Sequence, residues 1–270
     1  MYVTLIRNII LSIMLFLLGW SQVHGQEQPP LIAAASSLQF AVTEAARQFR
    51  QETGEALRLN FGSSGNFRRQ IAQGAPFELF LSADEANVLA LKEDGHVTEE
   101  GAIYAIGRLV WLQQNEAVTP LSSDEPLVAV RKAIEAPVPG EPLRMALANP
   151  EHAPYGIAAR QVLTHAGLWE ASAPLQVLGE NVAQAAQFAL SNDTRGGLVA
   201  LSLAIAPSIS EKSDYVLIPE DWHAPLKQRM VLTHNAGETA RAFYHWLQGE
   251  NARDIFQNYG FQSHGFGVPE

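Results

Sequence analysis

After residue 30 the chain alternates between short apolar runs and amphipathic segments. The runs have the length of β-strands, and we predict strands at residues 31–35, 56–61 and 78–82. The segments that begin near residues 38, 66 and 84 carry apolar side chains at helical spacing, so a helix is predicted after each strand. Strand–helix units in succession are typical of a parallel sheet.

A second alternating series follows a long apolar run at residues 102–112 and a proline-containing stretch at 117–142. One short helix, 127–134, is predicted within that stretch. The second series is predicted to contain strands at 143–148, 174–178 and 197–201 and helices at 157–166 and 182–190. The last part is predicted to contain strands at 215–218 and 228–233, then helices at 238–248 and 252–258.

This order predicts an α/β fold with two lobes, each a mostly parallel sheet flanked by helices. We expect the chain to cross between lobes near residues 106–112 and again near 229–233. Lobe 1 is then discontinuous, and the predicted limits are 26–108 with 229–270 for lobe 1 and 109–228 for lobe 2. Because ligands of open α/β sheets bind at the carboxyl ends of strands, the crevice between the lobes is the expected site.

The first 25 residues differ from the rest. Arg7 precedes an almost wholly apolar segment, 8–20, and small residues follow at the positions that signal peptidases prefer. We predict a secretory signal peptide, 1–25, with cleavage after Gly25. An N-terminal membrane anchor is the alternative, although the apolar run is shorter than the ~20 residues of a bilayer span.

Cysteine is absent from the sequence, which excludes disulfides, thiolate metal sites, a cysteine nucleophile and a lipid-modified cysteine. With a hydrophobic content of 47%, the chain can bury a substantial core without disulfides. An exported protein of this composition fits the bacterial periplasm.

The formal charge of −10 argues against nucleic acid as a partner, because binding to phosphates requires clustered Lys and Arg. Net charge does not argue against a small anion. Local N–H dipoles decide the affinity of such a site, and salt screens distant charges.

Serine residues stand where the first two predicted strands end. Ser36 and Ser37 follow the first strand, and Ser64 follows the second, each just before a predicted helix. A helix start offers unpaired N–H groups and a partial positive charge, and a hydroxyl adds another donor. Two such starts side by side predict an anion site. The alternative is that Ser36 and Ser64 only cap their own helices.

Two more strand ends in the second lobe carry similar signals. In the segment 149–156, Gly156 permits close backbone approach, Tyr155 can project a phenol over the crevice, and the amides of both residues are expected to be free. The amide of Val182 opens the next helix. The alternative for Tyr155 is a loop aromatic that covers a helix start at the surface.

Two other function classes, a hydrolase and a metal-binding protein, lack their characteristic sequence patterns. A hydrolase would use Ser36 or Ser64 as nucleophile with a histidine base, but no G-x-S-x-G turn is present and His152 is the only nearby histidine. A metal-binding or zinc-importing role would need converging ligands, whereas the remaining candidates are widely spaced: His223, His234 and His245.

Seven motifs occur in one order along the chain: AAASS, FGSSG, GAPFELFLSADE, YAIGRLVWL, NPEHAPYGIAARQVL, GENVAQA and GGLVALS. In this order and spacing the chain resembles the periplasmic molybdate-binding proteins of the ModA family, over nearly all of residues 31–262. These proteins are the substrate-binding components of ABC transporters. The resemblance implies the type II periplasmic binding protein fold, with the ligand cleft between the lobes.

The resemblance also implies a ligand set. A tetrahedral molybdate or tungstate would be bound by neutral donors of Ser36, Ser37, Ser64, Tyr155 and the Val182 amide, with no cofactor and no direct metal ligand. Some family members have a tyrosine in the strand that matches 197–202, where this chain has Ala200, and Tyr155 is the candidate replacement for that phenol. The expected partner is a membrane permease, and we expect a monomer. Another tetrahedral oxyanion, sulfate or phosphate, remains the alternative ligand.

Overall fold

The computed structural model describes residues 28–137, 139 and 143–263, so the predicted signal peptide, 1–25, lies outside the described residues. The strands are Leu31–Ala35 (β1), Arg58–Gly62 (β2), Leu79–Ser82 (β3), Ala102–Gly107 (β4), Leu109–Gln114 (β5), Arg144–Ala148 (β6), Gln176–Gly179 (β7), Thr194–Ala200 (β8), Ser213–Leu217 (β9) and Leu226–Leu232 (β10). In the described part of the chain, no helix combines the length and apolar content needed to cross a bilayer.

The α-helices are Gln39–Thr53 (α1), Ser64–Ala72 (α2), Ala86–Glu93 (α3), Val128–Glu135 (α4), Pro154–His165 (α5), Trp169–Ser172 (α6), Val182–Ala189 (α7), Leu201–Ala204 (α8), Pro207–Ser210 (α9), Glu238–Trp246 (α10) and Glu250–Asn258 (α11). Short 3₁₀ turns occur at Ser36–Leu38, Ala173–Leu175 and Glu220–Trp222. Helix α5 begins at Pro154, earlier than predicted, because proline is compatible with a first helical turn. The pattern did not predict the one-turn helices α6, α8 and α9.

The first sheet has the strand order β2-β1-β3-β10-β4. Strand β1 pairs in parallel with β2 and β3, whereas β10 pairs antiparallel with β3 and β4. Four of its strands therefore run in one direction, and β10 alone runs in the other.

The second sheet repeats this arrangement with the order β7-β6-β8-β5-β9. Strand β6 pairs in parallel with β7 and β8, and β5 pairs antiparallel with β8 and β9. Two mostly parallel sheets flanked by helices confirm the predicted α/β fold class.

The two reversed strands lie next to the crossings between the sheets. Only Arg108 separates β4, in the first sheet, from β5, in the second. The chain returns between β9 and β10. The apolar run 102–112 is therefore two strands in different sheets. The predicted lobe limits remain a prediction, but the limit between 228 and 229 falls inside β10, both of whose neighbours belong to the first sheet.

Strands β1 and β6, which end at the site, are buried on both faces. Ile32 and Ala34 of β1 pack in the same core cluster as Phe49 of α1, while Ala33 packs with Phe67 of α2 on the opposite face. Burial on both faces explains why these parallel strands are continuous apolar runs rather than alternating ones. Helices on both sides hold the strands, so the strand ends are fixed in position.

The backbone packs tightly around Gly101, immediately before β4. Its φ is +67°, and a Cβ there would lie 1.8 Å from the Met230 carbonyl oxygen of β10. Gly95 has a similar φ of +76° but open space around it. We expect Gly101→Ala to lower the free energy of unfolding by more than about 2 kcal/mol and Gly95→Ala by about 1 kcal/mol, since only the first adds a backbone clash to φ strain. Urea unfolding measures both, and equal losses would contradict the prediction.

Candidate anion-binding site

Four helix starts meet where four strands end. In the first sheet, β1 leads into the turn Ser36–Leu38 and β2 leads into α2. In the second sheet, β6 is followed by α5 and β7 by α7. Parallel strands place their carboxyl ends at one edge of a sheet, and the two edges face each other here. The site therefore has helix N-termini from both lobes.

These segments enclose a small pocket that contains all the predicted site residues: Ser36, Ser37, Ser64, Tyr155 and Val182. Its volume is about 10 Å³, measured for the centre of a water-sized sphere. That volume suits a compact ion and is far too small for an organic solute of drug size. Among the described residues that line the pocket, none is charged.

A larger cavity of about 180 Å³ lies beside β5 and the start of β8 and contains none of the predicted site residues. Gln113, one of its polar lining residues, is engaged within the protein. The Gln113 amide accepts a hydrogen bond from Trp111 Nε1 (3.0 Å) and donates one to the Thr119 carbonyl (2.8 Å). The smaller pocket is therefore the better candidate, because its donors converge.

Backbone amides orient two of the serine hydroxyls. Ser36 Oγ accepts a hydrogen bond from the N–H of Ala183 (3.2 Å), and Ser64 Oγ accepts one from the N–H of Ala83 (3.0 Å). A hydroxyl that accepts such a bond keeps its own proton available. Both serines are buried, so these protons remain for a group in the pocket. The alternative, that Ser36 and Ser64 only cap their own helices, is wrong, since neither makes a side-chain cap.

Ser37 and Tyr155 supply the other two hydroxyls. Each residue is 1% exposed, and neither Ser37 Oγ nor the Tyr155 hydroxyl completes a hydrogen bond within the described protein. A buried hydroxyl without a partner costs free energy, so such groups are rare unless a ligand or water satisfies them. Two of them at one pocket fit an acceptor-rich ligand.

Burial sets the protonation of Tyr155. Loss of solvation raises the pKa of its phenol well above the ordinary value, although the side chains of Ser37 and Gln228 lower it by smaller amounts. The phenol is therefore a neutral donor at physiological pH. The alternative that Tyr155 is a surface aromatic is wrong, because its whole ring is buried in the first turn of α5.

The N-cap residue of α7, Asn181, does not bind the backbone N–H of Val182. Asn181 Oδ1 accepts hydrogen bonds from the N–H groups of Ala183 (3.0 Å) and Gln184 (3.1 Å). The N–H of Val182, the first helical residue, is outside this cap at the pocket wall. The positive end of the helix dipole adds to its attraction for an anion.

Two expectations for α5 have different outcomes. A Cβ on Gly156 would lie 2.2 Å from the Ala148 carbonyl oxygen, which confirms that glycine allows the close approach of helix and strand. The expectation of a free Gly156 amide is wrong, since it donates to the Ala153 carbonyl (2.9 Å) within the first helical turn.

Sequence reasoning missed Ser202. Ala200 does not line the pocket; it is the last residue of β8 and pairs with Leu109. Two residues further on, Ser202 Oγ donates a hydrogen bond to the Ser37 carbonyl (2.7 Å) and so fixes the segment that carries the Ser37 hydroxyl. The signal was present, because a serine again follows a strand and begins a helix.

In the described part of the chain, His152 is the one histidine near the pocket, and it does not activate a predicted nucleophile. His152 contacts Ser63, not the predicted nucleophiles Ser36 or Ser64. Ser63 Oγ donates its proton to the His152 carbonyl (2.6 Å), so the ring Nδ1 at 2.8 Å acts as a donor to that hydroxyl. In the described residues no three His, Asp or Glu side chains converge as metal ligands would.

Comparison with known proteins gives a family. The model for "Bacterial extracellular solute-binding protein" matches residues 30–262. The chain is 32% identical over 235 residues to the molybdate-binding protein ModA of Rhodobacter capsulatus, covering 86% of this chain and 87% of that one. It is 32% identical over 240 residues to ModA of Escherichia coli (strain K12), with 85% and 87% covered. The family model and the names of these relatives all describe solute-binding proteins.

Solved structures agree on the fold. The periplasmic molybdate-binding protein of Azotobacter vinelandii aligns with a TM-score of 0.75 and 28% identity, covering 90% of this chain and all of that one. The sulfate-binding protein SubI of Mycobacterium tuberculosis aligns with a TM-score of 0.69 at 14% identity, covering 90% and 89%, and shows the fold alone. By its family match and these relatives, the chain belongs to the ModA family of bacterial extracellular solute-binding proteins.

Proposed function

We propose that the chain captures molybdate, and also tungstate, between its two lobes and delivers the ion to the permease of an ABC transporter. One observation carries this proposal: hydroxyl and amide donors from both lobes converge on one small pocket without a charged lining residue. Relatives named for molybdate binding, at about one third identity over most of the chain, support the choice of ion.

The donor chemistry matches a fully ionised oxyanion. Molybdate at neutral pH accepts hydrogen bonds at all four oxygens and has no proton to donate. A pocket of donors alone satisfies it and penalises a protonated phosphate, which would need an acceptor such as a carboxylate. The acidic residues nearest in sequence, Glu151 and Glu180, do not line the pocket.

Neutral donors are sufficient for high affinity. A hydrogen bond to a charged group contributes about 1.5–3 kcal/mol, so five such bonds contribute about 7.5–15 kcal/mol, which spans the ~8–12 kcal/mol of a micromolar to nanomolar complex before ordering costs are subtracted. Lysine or arginine is therefore not needed in the pocket.

The choice of ion is tested by calorimetry on a chain that begins at residue 26. We expect dissociation constants of 1 μM or tighter for molybdate and tungstate and at least roughly hundredfold weaker binding of sulfate, which is also a tetrahedral dianion but smaller. Phosphate is expected to bind weakly for want of an acceptor. Sulfate binding as tight as molybdate binding would contradict the proposal.

The proposed location is the periplasm, and the proposed form is a monomer. The predicted signal peptide, 1–25, would export the chain to the periplasm, and the family description as extracellular supports export. Cleavage would release a monomer that presents the loaded closed form to the permease. The permease would distinguish that form from the open one, because the ligand stabilises only the closed state.

Contacts between the lobes indicate how the pocket closes. The N–H of Gly65, on α2, donates to the His152 carbonyl across the cleft (2.9 Å), beside the contact of Ser63 with His152. The Asn66 amide bonds the carboxylate of Glu180. These bonds join the first-lobe segment that carries Ser64 to the two second-lobe segments that lead into α5 and α7. Rotation about the two crossings would form them together.

Gly65 permits this approach, and its replacement tests closure. A Cβ there would lie 2.6 Å from the His152 carbonyl oxygen. We expect Gly65→Ala to weaken molybdate binding at least about tenfold, while the free energy of unfolding without ligand stays equal or rises, because alanine favours the helix. Gly237→Ala, at the start of α10, is the matched control and should change affinity less than about twofold. Calorimetry and urea unfolding give the two quantities. A Gly65→Ala protein with wild-type affinity would contradict the assigned closure contact.

Two buried tyrosines provide a second matched pair. Tyr155→Phe removes an unpartnered hydroxyl at the pocket, so we expect molybdate binding to weaken about tenfold or more while unliganded stability stays equal or rises. Tyr104 donates instead to the Ser82 carbonyl (3.0 Å) and does not line the pocket. Tyr104→Phe should cost about 1 kcal/mol of stability with little change in affinity. The same pattern of losses in both variants would count against a ligand role for Tyr155.

A further inference from the structure

A buried glutamine lies behind the pocket without lining it. Gln228, in the reversed strand β10, is fully buried. Its Nε2 faces two carbonyl oxygens, those of Ala83 (3.3 Å) and Leu226 (3.4 Å), while its Oε1 has no hydrogen bond within the described protein. A buried amide with long, incomplete bonds costs stability, which points to a role beyond packing.

The Tyr155 hydroxyl lies next to this amide. A Cβ at Gly107, the last residue of β4, would be 2.2 Å from the Tyr155 hydroxyl oxygen and 2.8 Å from Gln228 Nε2. The phenol comes from the second lobe, whereas Gly107 and Gln228 belong to adjacent strands of the first sheet. The phenol therefore occupies a space that exists because residue 107 has no side chain.

The surroundings fix which end of the amide faces the phenol. Two carbonyl oxygens face the nitrogen, and a flipped amide would place its oxygen against both of them. The two carbonyl contacts are long enough to share one of the two amide protons, which leaves the other to be donated to the phenolic oxygen. The nitrogen cannot accept the phenolic proton. Burial raises the pKa of Tyr155, while the side chains of Ser37 and Gln228 lower it by smaller amounts, as donors to the phenolic oxygen do.

We propose that Gln228 is a positioning residue of the anion pocket: in the loaded, closed protein its amide donates to the phenolic oxygen of Tyr155, which completes no hydrogen bond within the described protein, and leaves the phenolic proton to be donated to the oxyanion. This inference rests on the proposed function. An acceptor at this place would instead compete with the ligand for the phenolic proton. Gln228 lies on β10 in the first lobe, whereas Tyr155 belongs to the second. The hydrogen bond between them therefore forms only when the phenol enters the first lobe.

A double-mutant cycle tests the inference, with Gln228→Met, which keeps length and bulk, and Tyr155→Phe. We expect Gln228→Met to weaken molybdate binding about five- to tenfold in the wild-type background and less than about twofold in the Tyr155→Phe background, because its effect passes through the phenol. The control is Gln113→Met, another buried glutamine with both amide groups bonded away from the pocket. It should lower stability without changing affinity.

Gly107→Ala provides an independent variant if Gln228→Met does not fold. It displaces the phenol by a direct clash, and we expect at least about a tenfold loss of molybdate affinity alone and a much smaller further loss in the Tyr155→Phe background. Additive losses in either cycle overturn the positioning role. A wild-type protein that binds no molybdate overturns the proposed function itself. That result overturns the positioning role as well, whereas additive losses in a protein that binds molybdate overturn the positioning role alone.

Discussion

Buried hydroxyl groups must have hydrogen-bond partners, and this constraint organises the pocket. Ser36 and Ser64 each accept a backbone N–H, whereas Ser37 and Tyr155 complete no bond inside the described protein. All four therefore have a proton to donate, and no charged side chain lines the space between them. A pocket of this kind is electrostatically suited to a dianion that only accepts hydrogen bonds.

The two sheets connect this pocket to the movement of the lobes. Each sheet has one reversed strand, β10 in the first and β5 in the second, and each lies next to a crossing. Gly107 and Gln228 occupy the first-sheet side of these crossings, where the Tyr155 phenol enters. On the opposite wall, Gly65 and His152 bring the helix starts together. Binding and closure thus depend on the same close contacts.

The periodicity of the sequence located most elements, but it could not separate β4 from β5. Residues 102–112 are apolar except for Gly107 and Arg108, and neither strand has the alternation of apolar and polar residues that would show where one ends and the other begins. The lobe limit predicted between residues 228 and 229 falls within β10, because the sequence pattern does not show that the whole strand belongs to the first sheet. An apolar run indicates burial, but it does not indicate which sheet a strand joins.

The sequence by itself determined the neutral donors and their local setting: small hydroxyl residues, Tyr155 and Val182 stand where strands end and helices begin, and those signals are local in the chain. Only the tertiary structure decided that these segments enclose one pocket, that Ser202 fixes Ser37, and that Tyr155 points to Gly107 and Gln228. Gln228 lies inside a strand, where nothing in the local pattern distinguishes it from another core position. Its role depends on contacts between distant parts of the chain, and these form only when both sheets pack.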